Sequence, residues 1–297
     1  MKSKTELERA YVFCLGMAKT HYENFPVASV LLPKKLRRPI AAIYAFARRA
    51  DDIADEGDAP PLERLQQLAY YSDCLQQIDS NRYHGNDAIF VALQDSIRQF
   101  SLPVQLLEDL LIAVRQDVLK TRYADFAEVL AYCRYSANPV GRLILHLQGN
   151  PTDTQLRQSD AICSALQLIN FYQDVIQDYS EQNRIYIPQN ELLAAGIAEA
   201  ELLNPNTRKL APVLRALYQR TLLMMAEGAE LGTSIMGRLG WEIRAMTLGG
   251  FYTLSQLQKQ PDIAILSRPR LSKPTLFKIL LTSARHSSYR QSVSNFL

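Results

Sequence analysis

Residues 37–57 read RRPIAAIYAFARRADDIADEG, an apolar stretch interrupted by regularly spaced polar residues. Pro39 suits the first turn of a helix and Gly57 suits its C-terminal cap, which predicts a helix of roughly five turns. Four polar side chains fall within an arc of roughly 60° on that helix: Tyr44, Arg48, Asp51 and Asp55. The other positions are mostly apolar, so the stretch predicts one polar stripe that points inward from an apolar helix.

A second stripe lies on residues 165–188, ALQLINFYQDVIQDYSEQNRIYIP, which we interpret as another helix. Four side chains again share one face, within an arc of roughly 80°: Gln167, Asn170, Asp174 and Asp178. Arg184 follows downstream. Amide and carboxylate groups are thus gathered on one side of a helix that is otherwise apolar.

Carboxylates four residues apart on a helix repel each other, and burying them costs still more unless a partner is supplied. Two such helices facing each other collect four carboxylates, which a hard divalent cation neutralises. Mg²⁺ prefers oxygen ligands and bridges carboxylates to substrate phosphates. The two stripes therefore indicate a Mg²⁺–diphosphate site, to which Arg48 and Arg184 add direct positive charge. A single Asp-x-x-x-Asp motif is common on surface helices and does not by itself indicate a metal site. Two such motifs, each within a polar stripe on an apolar helix, favour metal binding.

Composition sets the fold class. The chain has 297 residues, 47% of them hydrophobic and 21% charged, which excludes disorder. Apolar residues recur at the helical period along most of the chain, and Asn-Gly or Asp-Gly hairpin signals are absent. No break is long enough to be an interdomain linker. We therefore expect a single all-α domain over residues 1–297. The net charge of +3 does not favour nucleic acid as a partner.

The charge is unevenly distributed. Residues 263–297 contain six Arg or Lys and no Asp or Glu, so this C-terminal tail is +6 and the remainder is 3 − 6 = −3. Basic residues interleaved with Leu and Phe predict peripheral contact with an anionic membrane, and a solvated closing helix is the equal alternative. No signal peptide or transmembrane run is evident, and the four cysteines show no CxxC spacing. We expect a cytoplasmic protein with free thiols, with membrane association left open.

On these motifs the chain resembles the squalene/phytoene synthase family. Its first aspartate motif matches Tyr44-x-x-x-Arg48-x-x-Asp51-Asp52-x-x-Asp55, and its second matches Gln167-x-x-Asn170-x-x-x-Asp174-x-x-x-Asp178. Residues 117–123 (DVLKTRY) and 132–135 (YCRY) resemble two further segments, and the likeness runs from His21 to at least Tyr252. The resemblance implies an isoprenoid-synthase helical fold with a central cavity, in which Mg²⁺ assists ionisation of a prenyl diphosphate substrate.

The resemblance also implies roles for individual residues. The expected metal ligands are Asp51, Asp55, Asn170, Asp174 and Asp178. The expected substrate-binding residues are His21, Asn24, Arg48, Gln167, Asn170, Arg184, Tyr186 and Tyr252. The expected catalytic residues are Tyr44, Arg48 and Tyr135, to which we add Asn138 as a hypothesis of our own. Aromatic faces stabilise carbocations by cation–π attraction; Phe25, Phe171 and Tyr252 are candidates for which ordinary core packing is the equal alternative.

Three departures from the common family pattern suggest a branch. They are the segment 21–29 (HYENFPVAS), the stretch 136–141 (SANPVG) and Gln173 before the second motif's aspartate. These resemble the bacterial hopanoid branch, in which hydroxysqualene synthase converts presqualene diphosphate to hydroxysqualene. That likeness implies a functional partnership with a presqualene diphosphate synthase and no need for NADPH. Asn138, polar where relatives have a small residue, is our hypothesis for the group that positions the attacking water.

Rival interpretations remain at this point. A presqualene diphosphate or squalene synthase would use farnesyl diphosphate, and a phytoene synthase would use the longer geranylgeranyl diphosphate. A terpene cyclase would also use carboxylates to bind Mg²⁺ and a diphosphate, but it would lack the Tyr-Cys-x-Tyr segment. Some family relatives are non-enzymatic assembly factors that have lost their aspartates. Because both aspartate pairs are present here, the sequence favours an active enzyme.

Overall fold

The computed structural model describes residues 2–20 and 32–297, which are mostly helical. The first eight α-helices are α1 Lys4–Thr20, α2 Lys34–Asp55, α3 Pro61–Asp79, α4 Ala88–Phe100, α5 Val104–Leu119, α6 Phe126–Ser136, α7 Asn138–Gln148 and α8 Asp153–Gln173. The next seven are α9 Val175–Gln182, α10 Gln189–Ala194, α11 Ala211–Gly228, α12 Leu231–Ser234, α13 Gly237–Lys259, α14 Lys273–Ala284 and α15 His286–Ser294. Short 3₁₀ helices span Glu199–Leu203 and Asp262–Ala264.

The all-α fold class is therefore confirmed. Within the described residues, β pairing is limited to one isolated bridge between Arg122 and Ile185. The chain forms two compact units, of which the first is residues 1–119 with 139–152 and the second is residues 120–138 with 153–297. One domain over 1–297 with a central cavity stays a prediction. The predicted site residues His21 and Asn24, and the candidate Phe25, lie outside the described residues.

Helix α2 is the central element of the first unit and packs against α1, α3, α4 and α5. Its Phe46 is fully buried and lies 5.7 Å from the Tyr71 ring of α3 and 6.1 Å from the Phe90 ring of α4. Leu36, Ile40, Ile43 and Ala50 are buried on the same helix. Burying this apolar surface is what fixes α2, and with it the first aspartate motif, in the unit.

The predicted start of α2 is wrong by about one turn. The helix begins at Lys34 after Pro33, so Pro39 lies inside it rather than in its first turn. Proline at this position removes the bond that the residue 39 N–H would donate to the carbonyl of Lys35. Pro39 is buried with the apolar face of the helix, and this packing offsets the lost bond. The predicted C-terminal signal is confirmed, because Gly57 follows the helix with φ +73°.

In the second unit, α8 packs against α6, α11 and α13. The fully buried Tyr218 of α11 places its ring 5.4 Å from that of Tyr172 on α8. At the end of α11, Gly228 lies so close to α8 that a Cβ there would be 2.6 Å from the carbonyl oxygen of Gln158. Gly249 on α13 has open space at the same position. The glycine at 228 therefore allows the two helices to approach.

All four cysteines are free, and three of them, Cys14, Cys74 and Cys133, are buried. This confirms the prediction of unpaired thiols.

Among the described helices, none has the length and hydropathy needed to cross a bilayer.

Replacing Gly228 with alanine should lower the free energy of unfolding by about 1–3 kcal/mol, because the new methyl group overlaps backbone atoms that cannot move aside. The matched control is Gly249→Ala, which should be neutral or stabilising by about 0.5–1 kcal/mol, since alanine favours the helix. Urea unfolding followed by circular dichroism measures both. Equal stability changes for the two variants would contradict this account of α8–α11 packing.

Candidate functional site

The first aspartate motif lies on a face of α2 that solvent reaches. Tyr44 is half-buried, and the side chains of Arg48 and Asp51 are 31% and 49% exposed. Asp55, at the end of the helix, is exposed. The expectation that this stripe points inward is wrong for Asp55, because the helix ends there and the chain turns away. The partial exposure of the stripe leaves its carboxylates accessible from solvent.

Arg48 is held by carboxylates that follow it in sequence. Its Nε lies 2.6 Å from Oδ1 of Asp52, and one terminal nitrogen lies 3.0 Å from Oε1 of Glu56. Burial alone would lower the pKa of Arg48, but the charges of Asp52, Asp51 and Glu56 outweigh it and raise that pKa. Asp52 thus forms an ion pair with Arg48. Arg48 therefore stays charged, although acidic groups share its guanidinium.

A residue that sequence analysis missed holds the end of α2. Arg64, from the first turn of α3, donates from its terminal nitrogens to the carbonyl oxygens of Ile53 at 2.9 Å and Gly57 at 2.6 Å. The carbonyl of Ile53 is one that the end of α2 leaves without a backbone partner, and Gly57 lies just beyond the helix. Arg64 thereby fixes the segment that carries Asp51 and Asp55. No sequence motif marks it, because its acceptors are main-chain atoms.

The second motif spans a break between two helices rather than one continuous helix. α8 ends at Gln173 and α9 begins at Val175, with Asp174 between them at φ −110° and ψ 16°. The prediction of a single helix is therefore wrong at Asp174. Helix-like bonds continue through the break, because Asp174 N–H donates to Asn170 at 2.9 Å and Asp178 N–H donates to Asp174 at 2.8 Å. The backbone therefore keeps helix-like hydrogen bonding on both sides of Asp174.

The two carboxylates of this motif lie in surroundings that disfavour their ionised form, although arginines oppose this effect. Burial and, after it, the charge of Asp174 raise the pKa of Asp178 to about 7, against the opposing charge of Arg184. Burial also raises the pKa of Asp174, against the influence of Arg268. The Nε of Arg268 lies 3.0 Å from Oδ1 of Asp174. A second tail contact adjoins it, because the side-chain amide of Gln173 donates to the carbonyl of Pro269 at 3.1 Å.

Stacked aromatic rings support the second motif. The ring of Phe171 on α8 lies 3.6 Å from that of Tyr186, and the two planes differ by only 6°. Tyr132 lies within 6.0 Å of both rings, and Tyr123 stacks on Tyr186 at 5.4 Å. Phe171 and Tyr186 are both buried. Phe171 therefore packs as part of a core, and Tyr186, predicted to bind substrate, is enclosed by the same cluster.

The remaining predicted residues of the second unit lie in several places. Gln167, Asn170 and Tyr135 are half-buried. Arg184 is buried and donates to Oε1 of Gln182 at 2.6 Å. Asn138 is also buried, and its Oδ1 accepts a bond of 2.8 Å from the Ser164 hydroxyl of α8.

Tyr252 is not brought together with the second motif. Its ring lies 5.0 Å from that of Phe296 and 5.6 Å from Nζ of Lys278. The neighbouring Gly250 instead faces α8, where a Cβ would lie 3.2 Å from the side chain of Leu166. Residues two apart on a helix point to different sides, so Tyr252 is turned away from α8. Its substrate-binding role stays a prediction.

The donor chemistry of the two motifs fits a hard divalent cation. Each unit carries a pair of carboxylates, and Asn170 adds an amide oxygen in the second unit. In neither unit do the described residues alone assemble three or more His, Cys, Asp or Glu side chains into a metal-binding group. The raised pKa values of Asp174 and Asp178 mark negative charge that a cation would stabilise.

Comparison with known proteins identifies the family. The sequence profile described as squalene/phytoene synthase matches residues 18–275. The chain belongs to the squalene/phytoene synthase family. This membership confirms the predicted resemblance. The family is a class of isoprenoid-synthesising enzymes that act on prenyl diphosphates and generally depend on metal ions.

Individual relatives share much of the chain. A hydroxysqualene synthase from Rhodopseudomonas palustris is 39% identical over 77% of this chain and 77% of its own. A phytoene synthase from Mycobacterium tuberculosis is 29% identical over 96% of this chain and 93% of its own. The crystal structure of squalene synthase HpnC from Alicyclobacillus acidocaldarius is similar with a TM-score of 0.79 and 32% identity, covering 87% of this chain and 96% of that one.

Replacing Asp178 with asparagine should stabilise the metal-free protein. The ordinary pKa of an Asp is 3.8 and that of folded Asp178 is about 7, so its ionisation destabilises the folded state as the pH rises between those values. At pH 8 the variant should have a free energy of unfolding about 1–2 kcal/mol higher than the wild type. This corresponds to a pKa shift of roughly one unit, since solvent screens part of the effect. Urea unfolding in a chelator at pH 4 and pH 8 measures the difference.

The matched control is Asp52→Asn. Asp52 is paired with Arg48 at 2.6 Å, so losing its charge should leave stability unchanged or lower it. If Asp178→Asn were less stable than the wild type at pH 8, the carboxylate would not be under electrostatic strain, contrary to this account.

Proposed function

We propose that the protein converts presqualene diphosphate and water to hydroxysqualene and diphosphate in the hopanoid branch of isoprenoid metabolism. The observation that carries the proposal is the 39% identity to a hydroxysqualene synthase over three quarters of both chains. The complete aspartate pairs, Asp51 with Asp55 and Asp174 with Asp178, support an active enzyme. A separate presqualene diphosphate synthase would supply the substrate.

The proposed metal is Mg²⁺, with Asp51, Asp55, Asn170, Asp174 and Asp178 as its ligands. When bound, Mg²⁺ supplies positive charge that stabilises the oxygens of the departing diphosphate. Asp174 and Asp178 contribute through the repulsion already described, because two partly buried carboxylates favour a cation nearby. No NADPH takes part in the proposed reaction, since water completes it.

The first step breaks the carbon–oxygen bond of presqualene diphosphate, and the electron pair leaves with the diphosphate. Arg48 and Arg184 are proposed to bind the anion by charge-assisted hydrogen bonds, which are roughly twice as strong as neutral ones. Arg48 has to divide its donors between the substrate and its acidic neighbours Asp52 and Glu56. The proposed substrate-binding set is completed by His21, Asn24, Gln167, Asn170, Tyr186 and Tyr252.

The cyclopropylcarbinyl cation that remains is proposed to rearrange next to the rings of Tyr44 and Tyr135, each half-buried. An aromatic face stabilises a desolvated cation by about 2 kcal/mol or more. The oxygen of one water then forms a bond to the allylic carbon and releases a proton. Asn138 is proposed to position that water, with its carboxamide oriented by the Ser164 hydroxyl at 2.8 Å.

Phytoene synthase is the second candidate, because the mycobacterial relative of that name matches a larger share of the chain. Its lower identity, 29% against 39%, makes it the weaker of the two. Squalene synthase is a third outcome that a single product assay distinguishes.

Purified protein with Mg²⁺ should convert presqualene diphosphate to hydroxysqualene, with and without NADPH, as identified by mass spectrometry of the organic extract. Geranylgeranyl diphosphate should give no phytoene, and farnesyl diphosphate alone should give no presqualene diphosphate. Formation of presqualene diphosphate from farnesyl diphosphate would refute the proposed half-reaction, and NADPH-dependent squalene would refute water as the terminating group.

Asp51→Asn and Asp174→Asn should each reduce turnover at least about 100-fold, since each removes one carboxylate from the proposed metal site. Their far-ultraviolet circular dichroism should match the wild type. The matched controls are the exposed carboxylates Asp73 and Asp153, whose asparagine variants should keep full activity. Loss of helical signal in the first two variants would assign those aspartates a structural role instead.

A further inference from the structure

Helix α14 exposes an apolar face. Ile279 and Ser283 are buried where the helix packs against α13, and Trp241 of α13 donates a bond of 2.9 Å to the Ser283 hydroxyl. Four large apolar side chains on another side of the helix are exposed: Leu276 46%, Phe277 63%, Leu280 41% and Leu281 60%. At about 100° per residue these four cover an arc of roughly 140°. The helix is therefore apolar toward solvent, opposite to the usual arrangement.

Positive charge surrounds this face. The six basic residues of 263–297 have no acidic residue among them. In the described part of the chain Arg268 is paired with Asp174 and Arg290 with Glu230, whereas Arg270, Lys273, Lys278 and Arg285 form no ion pair. Basic groups that no carboxylate neutralises, next to exposed leucine and phenylalanine, match the chemistry of an anionic lipid surface.

A polar cavity adjoins the same helix. It measures about 580 Å³ and is lined on the α14 side by Thr275, Lys278 and Thr282, with Lys259 of α13 among its other lining residues. Going around α14, Lys278 lies between the apolar face and this cavity. A phospholipid at this place would meet apolar side chains with its acyl region and ammonium and hydroxyl donors with its headgroup.

We propose that α14 docks the protein on an anionic lipid bilayer, with Leu276, Phe277, Leu280 and Leu281 inserted at the interface and Lys273 and Lys278 against the phosphates. This goes beyond the proposed function and does not depend on which prenyl diphosphate is used. A second copy of the chain is the less favoured occupant, because two such faces would bring like charges together. Either arrangement would cover the apolar residues, so the experiment has to separate them.

Co-sedimentation with vesicles tests the proposal. The full-length protein is mixed with vesicles of phosphatidylglycerol and phosphatidylcholine, or of phosphatidylcholine alone, at low and high salt. The test variant is Phe277→Gln/Leu281→Gln, which alters only exposed side chains. The matched control is Leu193→Gln/Leu223→Gln, at positions of the second unit that are 81% and 53% exposed. Size-exclusion chromatography of each protein reports self-association.

The wild type and the control should sediment with the anionic vesicles and bind neutral vesicles at least about tenfold more weakly, and salt should release them because it screens the charge. The test variant should bind anionic vesicles about tenfold more weakly while its turnover in detergent stays unchanged. Absence of vesicle binding by the wild type, equal binding by the test variant, or a dimer that the test variant disrupts would each overturn the proposal. If the wild type showed no turnover in detergent, this result would contradict the proposed function but not the proposed membrane docking.

Discussion

Two carboxylates that repel each other are the constraint around which the second unit is organised. Asp174 and Asp178 lie four residues apart at a break between helices, in surroundings that raise the pKa of each. A fold that needed only stability would replace one of them with an apolar or amide side chain. Their retention has a physical reason if a cation and a diphosphate complete the site, because the repulsion is then exchanged for attraction.

Rigid neighbours hold both motifs in place. In the first unit, Phe46 packs against the rings of Tyr71 and Phe90, and Arg64 binds carbonyls at the end of α2. In the second unit, the stacked residues Phe171 and Tyr186 flank the acidic segment in sequence, one before it and one after it. Catalysis depends on groups whose positions are set before the substrate arrives, and packed rings and capped helix ends provide such positions.

The helical class and both aspartate motifs could be predicted because they depend on local spacing, which a sequence states directly. The break at Asp174 could not, since arithmetic at 100° per residue assumes an unbroken helix. The start of α2 at Lys34 could not be predicted either, because proline locally disfavours a helix interior. Pro39 is nevertheless buried inside α2, where its packing offsets that preference. Arg64 was missed because it binds main-chain carbonyls. The position of Tyr252 could not be read from the sequence, because spacing alone does not say which face of α13 meets α8.

The proposed function requires each of the two aspartate pairs to take part in binding Mg²⁺ and diphosphate. Calorimetric titration of Mg²⁺ into the protein in the presence of inorganic diphosphate tests it without requiring turnover. The account predicts saturable binding by the wild type and affinity at least about tenfold lower for Asp174→Asn and for Asp51→Asn. Binding by both variants with wild-type affinity would contradict it, because the carboxylates would then have no part in holding the metal.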